Sequence, residues 1–125
     1  MTEESAGRPK PAAWRRWTAI ALRTAHLAAV VLTGLAVFGA SHPAAGHGPA
    51  ALFVSGMLLF AFDLADDRVR LTELAGVVVI AKLVLCAWML ADPLRAEALF
   101  WTLLVVSAVS SHAPRRLRHW APGRR

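Results

Sequence analysis

The chain has 125 residues, 57% of them hydrophobic, a mean hydropathy of +0.49 and a formal net charge of +6. The apolar residues are gathered into long runs with the charges in the gaps, which excludes an ordinary water-soluble domain and is how a membrane protein partitions its sequence. The sequence pI of about 11.3 does not indicate nucleic acid as a partner, because the arginines stand against the ends of apolar runs, where anionic lipid head groups lie.

The polar segment 1–17 reads as a basic N-terminal extension on the cytoplasmic side. The first apolar run, 18–40, is long enough for the roughly 20 residues that a bilayer core requires. Trp14 and Trp17 stand at its entrance as interfacial anchors. It carries Arg23 and His26 and shows no clear cleavage site, so it is expected to be retained as a span rather than removed as a signal peptide. Pro43, Gly46, Gly48 and Pro49 then mark a break between helices.

A short second span is expected over 50–65, and the charged stretch Asp66 to Arg70 returns the chain to a third span over 71–91. Asp92 ends that span and suits the N-cap of the next, with Pro93 at the first helical position. The fourth span is expected over 95–112, stopped by Pro114. Residues 114–125 form a second basic cytoplasmic segment.

This pattern predicts an all-α, integral membrane four-helix bundle with up-down-up-down topology, its transmembrane domain covering 18–113. Apart from Arg95 and the mid-span Lys82, every lysine and arginine falls on one side, so both ends are expected in the cytoplasm of a bacterial-type inner membrane. Ala25, Ala29 and Thr33 on the first helix, and Ser107 and Ser111 on the fourth, are small-residue faces. They suit close helix packing, either within the bundle or against other membrane proteins or a second copy.

Ionisable groups inside hydrocarbon are costly, so each asks for an explanation. His26, Asp63 and His112 are expected at one cytoplasmic-side level of the bundle. Two imidazoles facing each other across helices are the usual way to hold a b-type haem. In that reading His26 and His112 ligate the iron, and Arg23, Arg115, Arg116 and Arg118 meet the propionates. The structural alternative has His26 bonded to Asp63 or a carbonyl, and His112 resting in the interface.

Lys82 lies roughly 16 Å from the start of the third span at 1.5 Å per residue. Snorkelling from that depth is difficult, so it is expected either to find a carbonyl, Ser107 or water inside the bundle or to be held uncharged. On the far side, His42, His47, Met57, Cys86 and Met89 make a loose set of soft donors that would suit copper. Methionines in apolar helices are more often packing. Cys86 is the single cysteine, which rules out an intrachain disulfide. No nucleophile elbow, phosphate loop, zinc pattern or paired catalytic carboxylates occur, so no conventional enzyme site is indicated. A cofactor-free membrane subunit or assembly factor of a larger complex remains the alternative to haem binding.

The run Arg23, Thr24, Ala25, His26, Leu27, followed by Gly34, resembles the first helix of small histidine-bearing membrane bundles of the CopD type and the HemJ type. The resemblance implies copper handling or haem and porphyrin chemistry, with His26 as a ligand. The chain departs from those bundles in having four spans and no further intramembrane histidine.

Overall fold

A computed structural model describes residues 12–66, 73–112 and 114. Four helices follow one another: α1 (Ala13–Val37), α2 (Gly48–Ala65), α3 (Leu74–Ala91) and α4 (Ala96–His112). Short 3-10 turns at Ala45–His47 and Pro93–Arg95 lead into α2 and α4. No strand occurs among the described residues. With those turns counted, the four apolar stretches run 25, 21, 18 and 20 residues. At 1.5 Å per residue even the shortest spans about 27 Å, close to the hydrocarbon thickness of a bilayer. The chain is a multi-pass membrane protein.

The exposed surface agrees with that reading. Leu27, Val31, Val54, Leu58, Val77, Val84, Val105 and Val109 all point outward, forming an apolar belt too extensive for a water-soluble monomer. Trp14 and Trp17 are exposed within the first turns of α1 rather than ahead of it.

Several helix ends differ from expectation, each for a local reason. The first helix stops at Val37, three residues short of the expected end, because Gly39 takes a left-handed φ of 71°. The Gly39 N–H then donates to the Ala36 carbonyl and the Ala40 N–H to that of Leu35, the two bonds of a Schellman cap. In the other direction α2 begins earlier than expected, at Gly48. Pro49 falls in its first turn, where a missing N–H leaves no helical bond unmade. The third helix begins at Leu74 after an extended Glu73, and residues 71 and 72 lie outside the described residues. Asp92 precedes the 3-10 turn rather than α4 itself, and makes no side-chain cap bond.

The short connections make neighbouring helices antiparallel. One end of the bundle, the base, holds the start of α1, the end of α2, the start of α3 and the end of α4. The other end, the crown, holds the connections through 38–47 and 92–95. Helix α1 packs most extensively on α2, α3 on α4, and α2 on α3. The α1–α4 seam is the sparsest, and α1 and α3 stand diagonally apart without packing on one another. Ala29, Leu52, Cys86, Met89, Leu99, Phe100 and Leu103 form the core.

The tightest contact is at the crown. Gly48 sits so close to α1 that a Cβ there would lie 2.4 Å from the Thr33 backbone nitrogen. Thr33 is fully buried, and its hydroxyl donates to the Ala29 carbonyl at 2.7 Å. The small residues Ala29 and Thr33 thus serve the α1–α2 contact, whereas Ala25 is exposed. At the base the same helix pair is pinned by Arg15, which donates to Asp66 at 2.8 Å.

Candidate functional site

A cavity of about 400 Å³ lies between the four helices. Its wall repeats at helical spacing: Leu52, Gly56, Leu59 and Asp63 on α2, Val79, Lys82 and Cys86 on α3, and Phe100, Leu103, Ser107 and Ser111 on α4. Residues three, four and seven apart share a helix face, which is why these positions converge. Along α4 the wall extends from Phe100 to Ser111, about 16 Å at 1.5 Å per residue.

The cavity is polarised along its length. Toward the crown it is walled by Val30, Leu52, Cys86, Phe100 and Leu103, and toward the base by Asp63, Lys82, Ser107 and Ser111 among the apolar Leu59, Phe60 and Val79, with His26 between. Helices α1 and α4 flank the sparsely packed seam. They meet near the crown, where Phe38 packs edge-on against Phe100 at 5.8 Å and beside Trp101 at 6.0 Å, and where Gly34 faces Phe100.

Each ionisable wall group has its own arrangement. His26 Nδ1 lies 2.8 Å from Ser55 Oγ, and Ser55 Oγ donates onward to the Leu52 carbonyl at 3.2 Å. A serine hydroxyl has one proton. With that proton committed to Leu52, the ring donates through Nδ1 and carries its lone pair on Nε2, which has no partner among the described residues. This tautomer is assigned from the hydrogen-bond network. The expected alternative, a His26–Asp63 hydrogen bond, does not form.

Lys82 stands about 12 Å above the first residue of α3, yet its side chain climbs toward the base. Its Nζ donates to Ser110 Oγ at 2.9 Å, and Ser110 donates in turn to the Ser107 carbonyl at 3.1 Å. The partner is therefore Ser110 rather than the Ser107 side chain. The long aliphatic stem makes this possible. Asp63 is the third group. Its Oδ1 is buried and without a hydrogen-bond partner among the described residues. Asp63 and Lys82 face one cavity and form no ion pair with each other.

His112 is not part of this arrangement. It is exposed at the end of α4, its Nδ1–H donating to the Ala108 carbonyl at 2.9 Å, and it does not line the cavity. His26 and Asp63 both wall the cavity, but His26 is level with Ser55, eight residues or about 12 Å before Asp63 along α2, so the expected shared level of His26, Asp63 and His112 does not form. Arg23 is exposed on α1. Arg115, Arg116 and Arg118 lie outside the described residues.

The far-side donors are also dispersed. His42 is exposed, its Nδ1 accepting from the Ala44 N–H at 3.2 Å, and His47 is exposed in the 3-10 turn. Met57 is 45% exposed on the outer surface, while Cys86 and Met89 are buried in the core. Among the described residues no group of three or more histidine, cysteine or carboxylate side chains is close enough to hold a metal ion.

Sequence reading missed Ser55 and Ser110, the two hydroxyls that hold the imidazole and the ammonium. The signal was there for Ser55: it lies eight residues before Asp63, on the same face of α2. No protein-family model matches the chain, and no curated protein or solved structure matches it either.

Proposed function

We propose that the protein is a cofactor-free membrane-embedded binder of a single amphiphilic molecule, held in the cavity between the helices and admitted from the lipid through the α1–α4 seam. The observation that carries this is the polarity of the cavity: Asp63, Lys82, Ser107 and Ser111 lie toward one end, apolar side chains alone toward the other, and a buried Asp63 oxygen is left unsatisfied. Binding pockets combine mostly apolar walls with a few converging polar groups. A buried polar atom without a partner costs about 1–3 kcal/mol, a cost that a bound head group would relieve. The sparse seam offers an apolar path of the kind an amphiphile follows.

The test is retention. Protein transferred from nanodiscs of mixed bacterial-type phospholipids into mild detergent should keep one lipid per chain by native mass spectrometry. Ser107→Trp, which fills the cavity, should lose it. Equal retention by both proteins would move the bound lipid to the outer surface and end the reading.

A second reading rests on the ring of His26. A histidine that ligates metal through one nitrogen usually donates the other to a hydrogen-bond partner, and the Ser55 contact leaves Nε2 available in this way. His26 would be the one imidazole to hold a b-type haem, which would bring electron-transfer chemistry. The residues present do not fit a His26–His112 pair. If haem is bound, purified protein from haem-supplemented cells should show a Soret band that disappears in His26→Ala and persists in His112→Ala. The amphiphile reading expects a colourless protein.

In the membrane the base of the bundle faces the cytoplasm of a bacterial-type inner membrane. The positive-inside rule supports this: Arg15, Arg16 and Arg23 belong to the base half of α1, whereas Arg95 is the basic residue of the crown, lying 5.7 Å over the Trp88 ring. With Cys86 changed to Ala, a thiol reagent that cannot cross membranes should label Ser41→Cys in intact cells and leave Ala121→Cys unlabelled until the membrane is opened. The reverse pattern would invert the orientation.

A further inference from the structure

We infer that the head group of the bound amphiphile is a zwitterion, with an ammonium that meets Asp63 and a phosphate oxygen that meets Lys82, as in ethanolamine phospholipids. The inference rests on the amphiphile reading above and deepens it.

Charge and position carry it. Asp63 lies two residues from the end of α2, and Lys82 delivers its Nζ to Ser110, two residues from the end of α4. Both charges therefore stand near the base, at the depth of a lipid head group, while the α4 wall continues from Ser110 to Phe100 for about 15 Å, ample for a good part of an acyl chain. The carboxylate and the ammonium belong to adjacent helices and share one wall. Had they bonded to each other, the cavity would be electrically closed and Asp63 Oδ1 satisfied. Instead the oxygen is buried and without a partner among the described residues, and Lys82 donates to a neutral hydroxyl, that of Ser110.

An ammonium is a three-proton donor, and Lys82 retains two after bonding Ser110. An anionic head alone would answer Lys82 and leave Asp63 facing a like charge. A cationic head would do the opposite. A head with both charges forms a charge-assisted hydrogen bond at each residue. Choline carries a positive charge with no N–H, so it answers Asp63 electrostatically without donating to the buried oxygen. Ser107 adds a hydroxyl group on the same wall.

The experiment uses the full-length protein in nanodiscs containing equal parts of phosphatidylethanolamine, phosphatidylglycerol and phosphatidylcholine, with the retained lipid identified by native mass spectrometry after detergent transfer. The expected result is enrichment of the ethanolamine lipid over the glycerol lipid by about tenfold, the scale of one charge-assisted hydrogen bond, and over the choline lipid by a smaller factor. Asp63→Asn should erase the preference for ethanolamine over glycerol while the variant still retains lipid. Lipid retained by the wild type in the bulk ratio, or glycerol lipid enriched instead, would overturn the zwitterion and leave the amphiphile site standing. No retained lipid at all would overturn both. The wild-type ratio alone decides the point if a variant fails to fold.

Discussion

Asp63→Asn is expected to raise the stability of the lipid-free protein in mild detergent by about 2 kcal/mol, the excess cost of burying an unpaired carboxylate oxygen over that of a neutral amide in its place. That corresponds to a rise on the order of 7 °C in the unfolding midpoint for a chain of this size, read by tryptophan fluorescence. The substitution conserves shape and removes the charge that has no partner among the described residues. The same variant should lose its selectivity for ethanolamine lipid. A residue whose removal stabilises the fold and weakens binding is one kept for binding. A drop in the midpoint of similar size would mean that Asp63 holds the bundle together, and would remove the central support for a ligand in the cavity.

The largest loss of stability is expected at Gly48. An alanine Cβ there would lie 2.4 Å from the Thr33 nitrogen and 2.5 Å from the Leu32 carbonyl carbon. These are backbone atoms inside a helix, with no flexible side chain to move aside, so α1 and α2 must separate along their best-packed contact. Overpacking of this kind costs about 3 kcal/mol, which should lower the unfolding midpoint by roughly 10 °C. Gly46→Ala is the control, since nothing lies within 4 Å of the added carbon, and its effect should stay within about 0.5 kcal/mol. Equal effects at the two positions would show that the close approach of α2 to Thr33 does not set the stability of the bundle.

Much of the fold was legible because hydrocarbon leaves few options: a run of apolar side chains of the right length must be helical and must satisfy its own backbone. The helix ends were less legible. The break after the first span was read from its prolines, yet Gly39 ends the helix through its left-handed backbone, and Pro49 is accommodated in the first turn of α2. The site was half legible for a related reason. His26, Asp63 and Lys82 could be singled out because an ionisable group in an apolar run is conspicuous whatever its neighbours are. Their partners depend on how far each helix is rotated about its axis. Consecutive residues point about 100° apart on a helix, so Ser111 faces the cavity and His112, one residue later, does not. Depth along the membrane follows from counting residues, whereas facing requires the packing of α4 against α3 and α1.

The polar contacts between helices have a consequence for how the protein is made. Arg15 with Asp66 and His26 with Ser55 join the first two helices, and Lys82 with Ser110 joins the last two. Each hairpin carries its own fastenings, and those two pairs of helices are also the best packed. The first hairpin therefore contains the bonds it needs to settle in the bilayer while the ribosome is still extending the second. The ligand chamber, which takes walls from both, comes into being only when the finished halves meet.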